Sequence, residues 1–264
     1  MKNRYNNICK RLQGGGIILK SERKQLILEK LRQDNFIRLE ELMLLLDSSE
    51  STIRRDLDEL ELAGKLRRVH GGAESLAGLR LEESIQQKSV KNVQFKKDLS
   101  IRAADLIEES DVIFLDAGTT TELLIPLLTA KDITVVTNSI HHATKLVDLQ
   151  IPTMIVGGMV KASTDASIGA VAVEQIRRLN FDKAFLGMNA VDECEYTTPD
   201  IEEAMIKRTV LDNAKEAFIL LDASKIGQKS FVKVAPVQQA ALITNKSDSL
   251  LLQKIKKKTK VIEV

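Results

Sequence analysis

The chain has 264 residues, a hydrophobic fraction of 44% and a formal net charge of +2. The length exceeds that of a typical single domain and the hydrophobic fraction allows a buried core, so two domains are predicted. No stretch approaches the roughly 18 consecutive apolar residues of a membrane span, so a cytoplasmic protein is expected. Cys9 and Cys194 have no second cysteine or histidine at ligand spacing, so neither a disulfide framework nor a metal site is predicted, and no cofactor is expected.

The first 18 residues precede the first predicted element. Gly14-Gly15-Gly16 in this segment could be a translated ribosome-binding sequence, with the true start at Leu19. The alternative is a flexible arm that contacts phosphates through its basic residues, Lys2, Arg4, Lys10 and Arg11. Residues 1–18 are therefore expected to be a disordered or untranslated extension.

Residues 19–74 show the pattern of a winged helix-turn-helix. A first helix is predicted from a cap at Ser21 to a break at Asp34-Asn35, and a second begins with the acidic turn Glu40-Glu41. Asp47-Ser48-Ser49 then has turn chemistry, and Ser49 can cap a third helix.

The third helix has the features of a DNA-recognition helix. Its apolar residues recur at i, i+4 and i+7, which places four polar residues on the solvent side: Ser51, Arg54, Arg55 and Asp58. Arginine presents a rigid fork that matches guanine O6 and N7 or a phosphate, while Ser51 and Thr52 can reach backbone oxygens.

A basic hairpin follows this helix. The helix is expected to end at Ala63-Gly64, and a strand from Lys65 to Val69 turns at His70-Gly71-Gly72 to form a wing. Clustered basic residues indicate DNA binding more strongly than a small net charge does, because charge must lie where the phosphates lie. The candidate DNA-binding residues are Ser49, Ser51, Thr52, Arg54, Arg55, Lys65, Arg67, Arg68 and His70.

An alternative interpretation makes Arg54 and Arg55 a solvated helix face that pairs with Asp58 and Glu59. The capped helix, the tight turn and the basic hairpin together favour DNA binding. The runs S-E-S-T-I-R-R-D-L at 49–57 and G-K-L-R-R-V-H-G-G-A at 64–73 resemble the DeoR family of repressors. This resemblance implies binding to operator DNA.

Residues 92–264 have the pattern of an α/β domain, after a polar linker at 75–91. A helix is predicted at 92–108, and strands and helices then alternate, with helices at Ile168–Leu179 and Ile201–Ala214. Continuous apolar strands between helices predict a mainly parallel sheet covered on both faces. The predicted strands are Val112–Leu115, Ile133–Val136, Thr153–Val156, Ala184–Leu186, Ala217–Leu221 and Ala240–Ile243.

Small polar residues follow five of these strands, where ligands bind in such sheets. Glycine allows close backbone approach, hydroxyls donate hydrogen bonds and a helix start favours an anion, so a phosphate fits there. Ordinary turn chemistry is the alternative for each end taken singly. The candidate effector residues are Asp116, Gly118, Thr119, Thr120, Thr121, Thr137, Asn138, Gly157, Gly187, Asn189, Asp222 and Lys225.

Within this set, Lys225 is expected to place its positive charge beside the phosphate, opposite the loop Asp116 to Thr121. Its alternative role is a surface pair with Asp222. The runs D-A-G-T-T-T, V-V-T-N-S, V-G-G, F-L-G-M-N and D-A-S-K again resemble the DeoR family. This implies a sensor fold related to ribose-5-phosphate isomerase and glucosamine-6-phosphate deaminase that binds a phosphorylated sugar. Val160-Lys161 and Glu195-Tyr196 depart from the family pattern.

Residues 186–192 and 198–204 look most like the fructose-operon repressors of Gram-positive bacteria, which implies fructose 1-phosphate as effector. An enzyme of the isomerase or deaminase type is the alternative, with acid and base groups drawn from Asp116, His141, His142, Asp192 and Glu193. The histidines are expected instead to cap or solvate a helix, and Asp192-Glu193 to be solvated. An architectural DNA binder would not explain the large second domain. A homo-oligomer is expected, because one helix-turn-helix makes few contacts.

Overall fold

The computed structural model describes residues 19–34, 36–69, 71–75, 79, 82–128 and 132–264. The chain divides into two compact units, residues 1–78 and 79–264. Residues 1–18, with both interpretations of them, and His70 lie outside the described residues. Within the described part, no helix has the length and apolar character needed to cross a membrane.

The first unit is a winged helix-turn-helix. Its three strands form an antiparallel sheet in the order β1-β3-β2, and its helices enclose a core that includes Ile53, Leu57 and Leu60, as predicted. The first helix begins at Lys20, so Ser21 lies in its first turn and is not its cap. The elements are α1 Lys20–Asp34, β1 Phe36–Arg38, α2 Leu39–Leu46, α3 Glu50–Leu62, β2 Leu66–Val69 and β3 Gly72–Ser75.

The turn between α2 and α3 forms as its residue types predict. Asp47 ends α2 in the left-handed conformation with φ 43°, which aspartate tolerates better than most residues do. Ser49 caps α3 by accepting a hydrogen bond from the Thr52 N–H. Buried Asp56 pairs with Arg23 of α1, so α3 is fixed to α1 on the side opposite its exposed arginines.

The second unit is an α/β domain with short additional strands. Its elements are α4 Ile85–Ser89, α5 Val93–Ala104, β4 Val112–Leu115, a 3-10 helix Thr121–Leu127, β5 Thr134–Thr137, α6 Ile140–Asp148, β6 Thr153–Ile155, β7 Met159–Lys161, β8 Ala166–Ile168, α7 Ala170–Arg177, β9 Phe181–Gly187, β10 Ala190–Val191, β11 Glu195–Thr198, α8 Ile201–Asn213, β12 Ala214–Leu220, β13 Val232–Pro236, β14 Ala241–Thr244, α9 Leu250–Lys256 and β15 Val261–Glu263.

The main sheet has seven parallel strands in the order β15-β14-β12-β9-β4-β5-β6. Successive residues of β4 alternate between two cores: Phe114 packs into one, and Leu115 into the other. Both faces are therefore covered, which explains why the strands are continuous apolar runs. The chain leaves β4 toward β5 and later returns to β9 on its other side, so a topological switch point lies between β4 and β9.

Several parts of this unit differ from the expectation, among them the following. Residues 85–89, assigned to the linker, form α4. The helix expected from Ile168 begins at Ala170, because Gly169 at φ 93° precedes it and Ile168 ends β8. A β7-β8 hairpin and a β10-β11-β13 sheet were not predicted, since strands of two to five residues give little periodicity to recognise.

Candidate functional site

The exposed face of α3 carries the arginines that the sequence assigned to DNA. Ser51, Arg54 and Arg55 are exposed, as the apolar spacing predicts. The hydroxyl groups of Ser49 and Thr52 form a hydrogen bond with each other at the helix start, since their oxygens lie 2.9 Å apart. This face therefore presents hydroxyls at the N-terminus of a helix and guanidinium groups one turn later.

Among the described residues, Arg54 and Arg55 do not form the ion pairs with Asp58 and Glu59 that the alternative of a solvated face predicts. Arg54 instead contacts Glu50, with its Nε 2.7 Å from Oε1. Glu59 contacts Lys20 and Lys24, whose hydrogen bonds lower its pKa to about 2. Arg55 makes no ion pair among the residues that the structure describes. Its guanidinium is thus available to a ligand without first breaking a contact within the protein.

The basic residues of the wing differ in how far carboxylates of the protein neutralise their charges. Lys65 and Arg67 are exposed, and Arg67 lies 3.1 Å from Glu74 across the β2-β3 pair. Arg68 pairs with Asp58 of α3, and its backbone N–H donates to Glu61 Oε1 at 2.7 Å. Arg68 therefore connects the wing to α3, and Lys65 and Arg67 have the more accessible charges.

A pocket lies at the switch point of the second unit, beyond the carboxyl ends of β4 and β9. Six of the twelve predicted effector residues line it: Gly118, Thr119, Thr120, Gly187, Asn189 and Lys225. The remaining lining residues are Ile85, Lys88, Ala117, Thr164, Met188, Glu203, Lys207 and Leu220.

Asp116 and Lys207 form a buried ion pair beside the pocket. Their side chains are 2% and 5% exposed, and Asp116 Oδ2 also accepts the Gly187 N–H at 3.0 Å. Burial raises the pKa of Asp116, while the Lys207 charge and the Gly187 hydrogen bond oppose that rise. Asp116 therefore fixes Lys207 and the end of β9, and the lysine is the member of the pair that reaches the pocket.

Three other predicted residues support the loop that follows β4. The Asn138 side chain accepts the Ala117 N–H at 2.9 Å. The Thr121 hydroxyl donates to the Asp116 carbonyl at 2.7 Å, and the Thr137 hydroxyl donates to the Leu115 carbonyl at 2.7 Å. These side chains hold the backbone of the loop and do not line the pocket.

Gly157 and Asp222 also do not line the pocket. The Gly157 N–H donates to Gln175 Oε1 at 3.0 Å. Asp222 accepts hydrogen bonds from the Ser224 backbone N–H and from Asn92 Nδ2, at 3.2 and 3.1 Å. Asp222 therefore supports the short helix that carries Lys225.

Several lysines concentrate positive charge in the pocket lining and directly behind it. Lys225 Nζ donates to the Met188 carbonyl at 3.1 Å and lies 3.9 Å from Asp222 Oδ2, which is too long for a hydrogen bond. Lys96, directly behind the lining, donates to Thr119 Oγ1 at 2.9 Å. Burial, with the nearby charge of Lys225, lowers the pKa of Lys96 to about 8. A bound anion would relieve this repulsion between cations.

Four polar residues of the lining were not predicted from the sequence: Lys88, Thr164, Glu203 and Lys207. Glu203 accepts a hydrogen bond from the Thr164 hydroxyl at 2.9 Å. Glu203, Lys207, Val210 and Leu211 share the buried face of α8, so charged residues occupy the helical spacing of a core stripe. That conflict between charge and periodicity is a detectable indication of a site. Lys88 gave no such indication, because α4 is only five residues long.

The residues of the enzyme alternative do not converge. His141 is exposed and lies 3.2 Å from Glu122. His142 is fully buried, contrary to the expected capping or solvated role, and burial lowers its pKa to about 4; the cap of α6 is Ser139. Asp192 and Glu193 pair at the surface with lysines, Lys229 at 3.0 Å and Lys254 at 2.9 Å.

Each of the two units matches a known protein family model. A model of the DeoR-like helix-turn-helix domain matches residues 23–77, and a model of the DeoR C-terminal sensor domain matches residues 91–246. Ribose 5-phosphate isomerase A from Methanocaldococcus jannaschii resembles about half of the chain: the match covers 52% of this chain and 55% of that one, with 20% identity and a TM-score of 0.40. A score this low supports no functional inference.

Three regulators are similar over most of the chain. The HTH-type transcriptional regulator FruR of Bacillus subtilis is 42% identical over 92% of this chain and 98% of its own length. The regulator GlpR of Haloferax volcanii is 37% identical over 85% and 89%. The lactose phosphotransferase system repressor of Streptococcus mutans is 35% identical over 92% and 99%. All three are transcriptional regulators, so the chain is a regulator and not an enzyme. It belongs to the DeoR family of helix-turn-helix transcriptional repressors.

Proposed function

We propose that this repressor controls a sugar-utilisation operon and leaves its operator when a phosphorylated sugar binds the pocket of the second unit. The observation that carries the proposal is the cationic lining of that pocket, in which Lys88 and Lys225 occur together with Thr119 and Thr120. A phosphate dianion requires positive charge and compact donors, and this lining supplies both.

Other polar groups of the lining suit the sugar hydroxyls. Glu203 and the Thr164 hydroxyl oxygen offer acceptors, while the Asn189 amide offers a donor. Fructose 1-phosphate is the proposed effector, on the resemblance of residues 186–192 and 198–204 to fructose-operon repressors. A sugar without phosphate would leave Lys88 and Lys225 uncompensated, so it is expected to bind far more weakly.

On the DNA side, we assign base contacts to Arg54 and Arg55 and phosphate contacts to Lys65 and Arg67, as exposed cations on α3 and the wing suggest. We further propose a homo-oligomer that acts in the cytoplasm, where its operator DNA is found. Repeated half-sites in DNA are generally bound by repeated subunits, and a single helix-turn-helix buries little surface.

Replacing Lys225 with alanine tests the effector site. Lys225→Ala is expected to weaken binding of fructose 1-phosphate about tenfold or more, because a charge-assisted hydrogen bond contributes about 1.5–3 kcal/mol. Operator affinity without the sugar should remain within about twofold, so the variant is a repressor that the sugar no longer releases. Calorimetry measures the first quantity and fluorescence anisotropy of labelled operator the second.

Lys215→Ala is the matched control, because Lys215 is exposed at the opposite end of β12 and pairs with Asp182 at 2.6 Å. It should bind sugar and operator like the wild type. Unchanged affinity of Lys225→Ala for every phosphosugar inducer would remove Lys225 from the site.

A further inference from the structure

Residues 82–91 lie near the start of the second unit and pack closely on the rest of it. The Ile85 N–H donates to the Ser163 carbonyl at 2.9 Å. Glu82 Oε2 lies 2.5 Å from Lys161 Nζ, and the Lys88 carbonyl accepts a hydrogen bond from Lys96. The segment is thus held at three points on the α/β domain, and α4 forms part of it.

Lys88 extends from α4 into the effector pocket. Its Nζ has no hydrogen-bond or ion-pair partner within the part of the chain that the structure describes. Burial lowers its pKa, and the charges of Lys225 and Lys207 add to this effect, while Glu203 opposes it. A half-buried cation in this position gains from an anion in the pocket, which would supply the missing partner.

A second connection joins the segment to the pocket through Lys161. This lysine contacts three carboxylates: Glu82, Asp200 at 2.8 Å and Glu203 at 3.1 Å. Glu203 itself lines the pocket. The other oxygen of Glu82 is buried and has no hydrogen-bond partner among the described residues. Since one cation holds three carboxylates, the attachment at Glu82 is sensitive to any change of charge at Glu203.

We propose that Lys88 binds the phosphate of the effector and that effector binding thereby fixes residues 82–91, which makes this segment the element through which the pocket reports its occupancy to the DNA-binding unit. The inference rests on the proposed function, since it requires a phosphorylated effector. A ligand shifts a conformational equilibrium only by its differential affinity for the two states. A phosphate contact from Lys88 exists only when the segment is docked, so the sugar favours the docked state.

Hydrogen exchange of the full-length protein tests this proposal, with fructose 1-phosphate as the probe. In the wild type, the sugar should slow amide exchange in residues 82–91 about tenfold, because docking and sugar binding are coupled. Lys88→Gln should lose this slowing and bind the sugar about tenfold more weakly or worse. Lys97→Gln removes an exposed lysine of α5 and should behave like the wild type in both measurements.

Glu82→Gln provides a second test, which begins before any sugar is added. It weakens the attachment to Lys161 without removing a pocket residue, so residues 82–91 should exchange faster than in the wild type before sugar is added. Addition of fructose 1-phosphate should restore protection through Lys88. Faster exchange that the sugar leaves unchanged would overturn the proposal, because effector binding would then not fix the segment.

The outcomes separate this proposal from the proposed function. If the wild type binds neither fructose 1-phosphate, nor a panel of other phosphosugars, nor inorganic phosphate, the proposed function fails and the inference fails with it. If the sugar binds and protects residues 116–121 but leaves residues 82–91 unchanged, or if Lys88→Gln binds with wild-type affinity, only the role of Lys88 and its segment is refuted.

Discussion

Arg55→Ala is expected to weaken specific operator binding by about 1–3 kcal/mol, the range for a bidentate arginine contact to a base. Arg55 is exposed on the face of α3 opposite its core residues and makes no ion pair among the described residues, so its full hydrogen-bonding capacity is available to DNA. Anisotropy titrations with operator and with a scrambled duplex measure the loss of specificity.

Arg54→Ala should change binding in the same direction but by a smaller amount. Arg54 must exchange its contact with Glu50 for a contact with DNA, and an exposed pair of this kind contributes about 0.3–0.5 kcal/mol. Operator binding by both variants at wild-type affinity would mean that this face of α3 does not enter the major groove.

The wing supplies the matched control for this experiment. Arg67→Ala is expected to weaken binding to operator and scrambled duplex alike, and to reduce the slope of log affinity against log salt by about one. Arg68 is less suitable, because its pair with Asp58 and its backbone contact with Glu61 also hold the wing on α3. A loss of specificity in Arg67→Ala equal to that in Arg55→Ala would contradict the division into base and phosphate contacts.

The sequence predicted those helices and strands whose burial requires a regular pattern of apolar residues. Val112–Leu115 was predicted with its observed bounds, because a strand buried on both faces is a continuous apolar run. The core side of α3 followed from Ile53, Leu57 and Leu60. By contrast, β1 has three residues and pairs with β3, which lies more than thirty residues later in the chain, so its formation depends on tertiary contacts that no local pattern records.

The lining of the pocket was predicted where it depends on strand ends and missed where it depends on helices. Thr119, Thr120 and Lys225 follow strands and line the pocket. Lys88, Glu203 and Lys207 reach it from α4 and α8, and their convergence depends on helix packing across the sheet. Thr137 and Asn138 have the residue types of a ligand site, but their side chains hydrogen-bond to backbone groups of the protein. The sequence does not distinguish these two uses of the same residue types.

Lys207→Met is expected to destabilise the second unit by about 3–5 kcal/mol at pH 8, because it leaves the buried carboxylate of Asp116 without its cation. The double variant with Asp116→Asn should recover most of this loss, since methionine and asparagine bury no charge. Lys215→Met breaks the exposed pair with Asp182 and should leave the free energy of unfolding close to that of the wild type. Urea unfolding followed by tyrosine fluorescence measures these changes, since the chain has no tryptophan and Tyr196 is fully buried in the second unit.

The dependence of this loss on pH identifies its cause. Burial raises the pKa of Asp116 in the folded wild type, and removal of Lys207 takes away the cation that opposes the rise, so the pKa increases further. The penalty for a charged carboxyl is therefore present above that raised pKa, and it declines as the pH falls through it and the carboxyl binds a proton. Lys207→Met should accordingly lose less stability at pH 5 than at pH 8. An equal loss at both pH values, with no recovery in the double variant, would indicate that the cost comes from packing around Lys207 and not from the buried charge of Asp116.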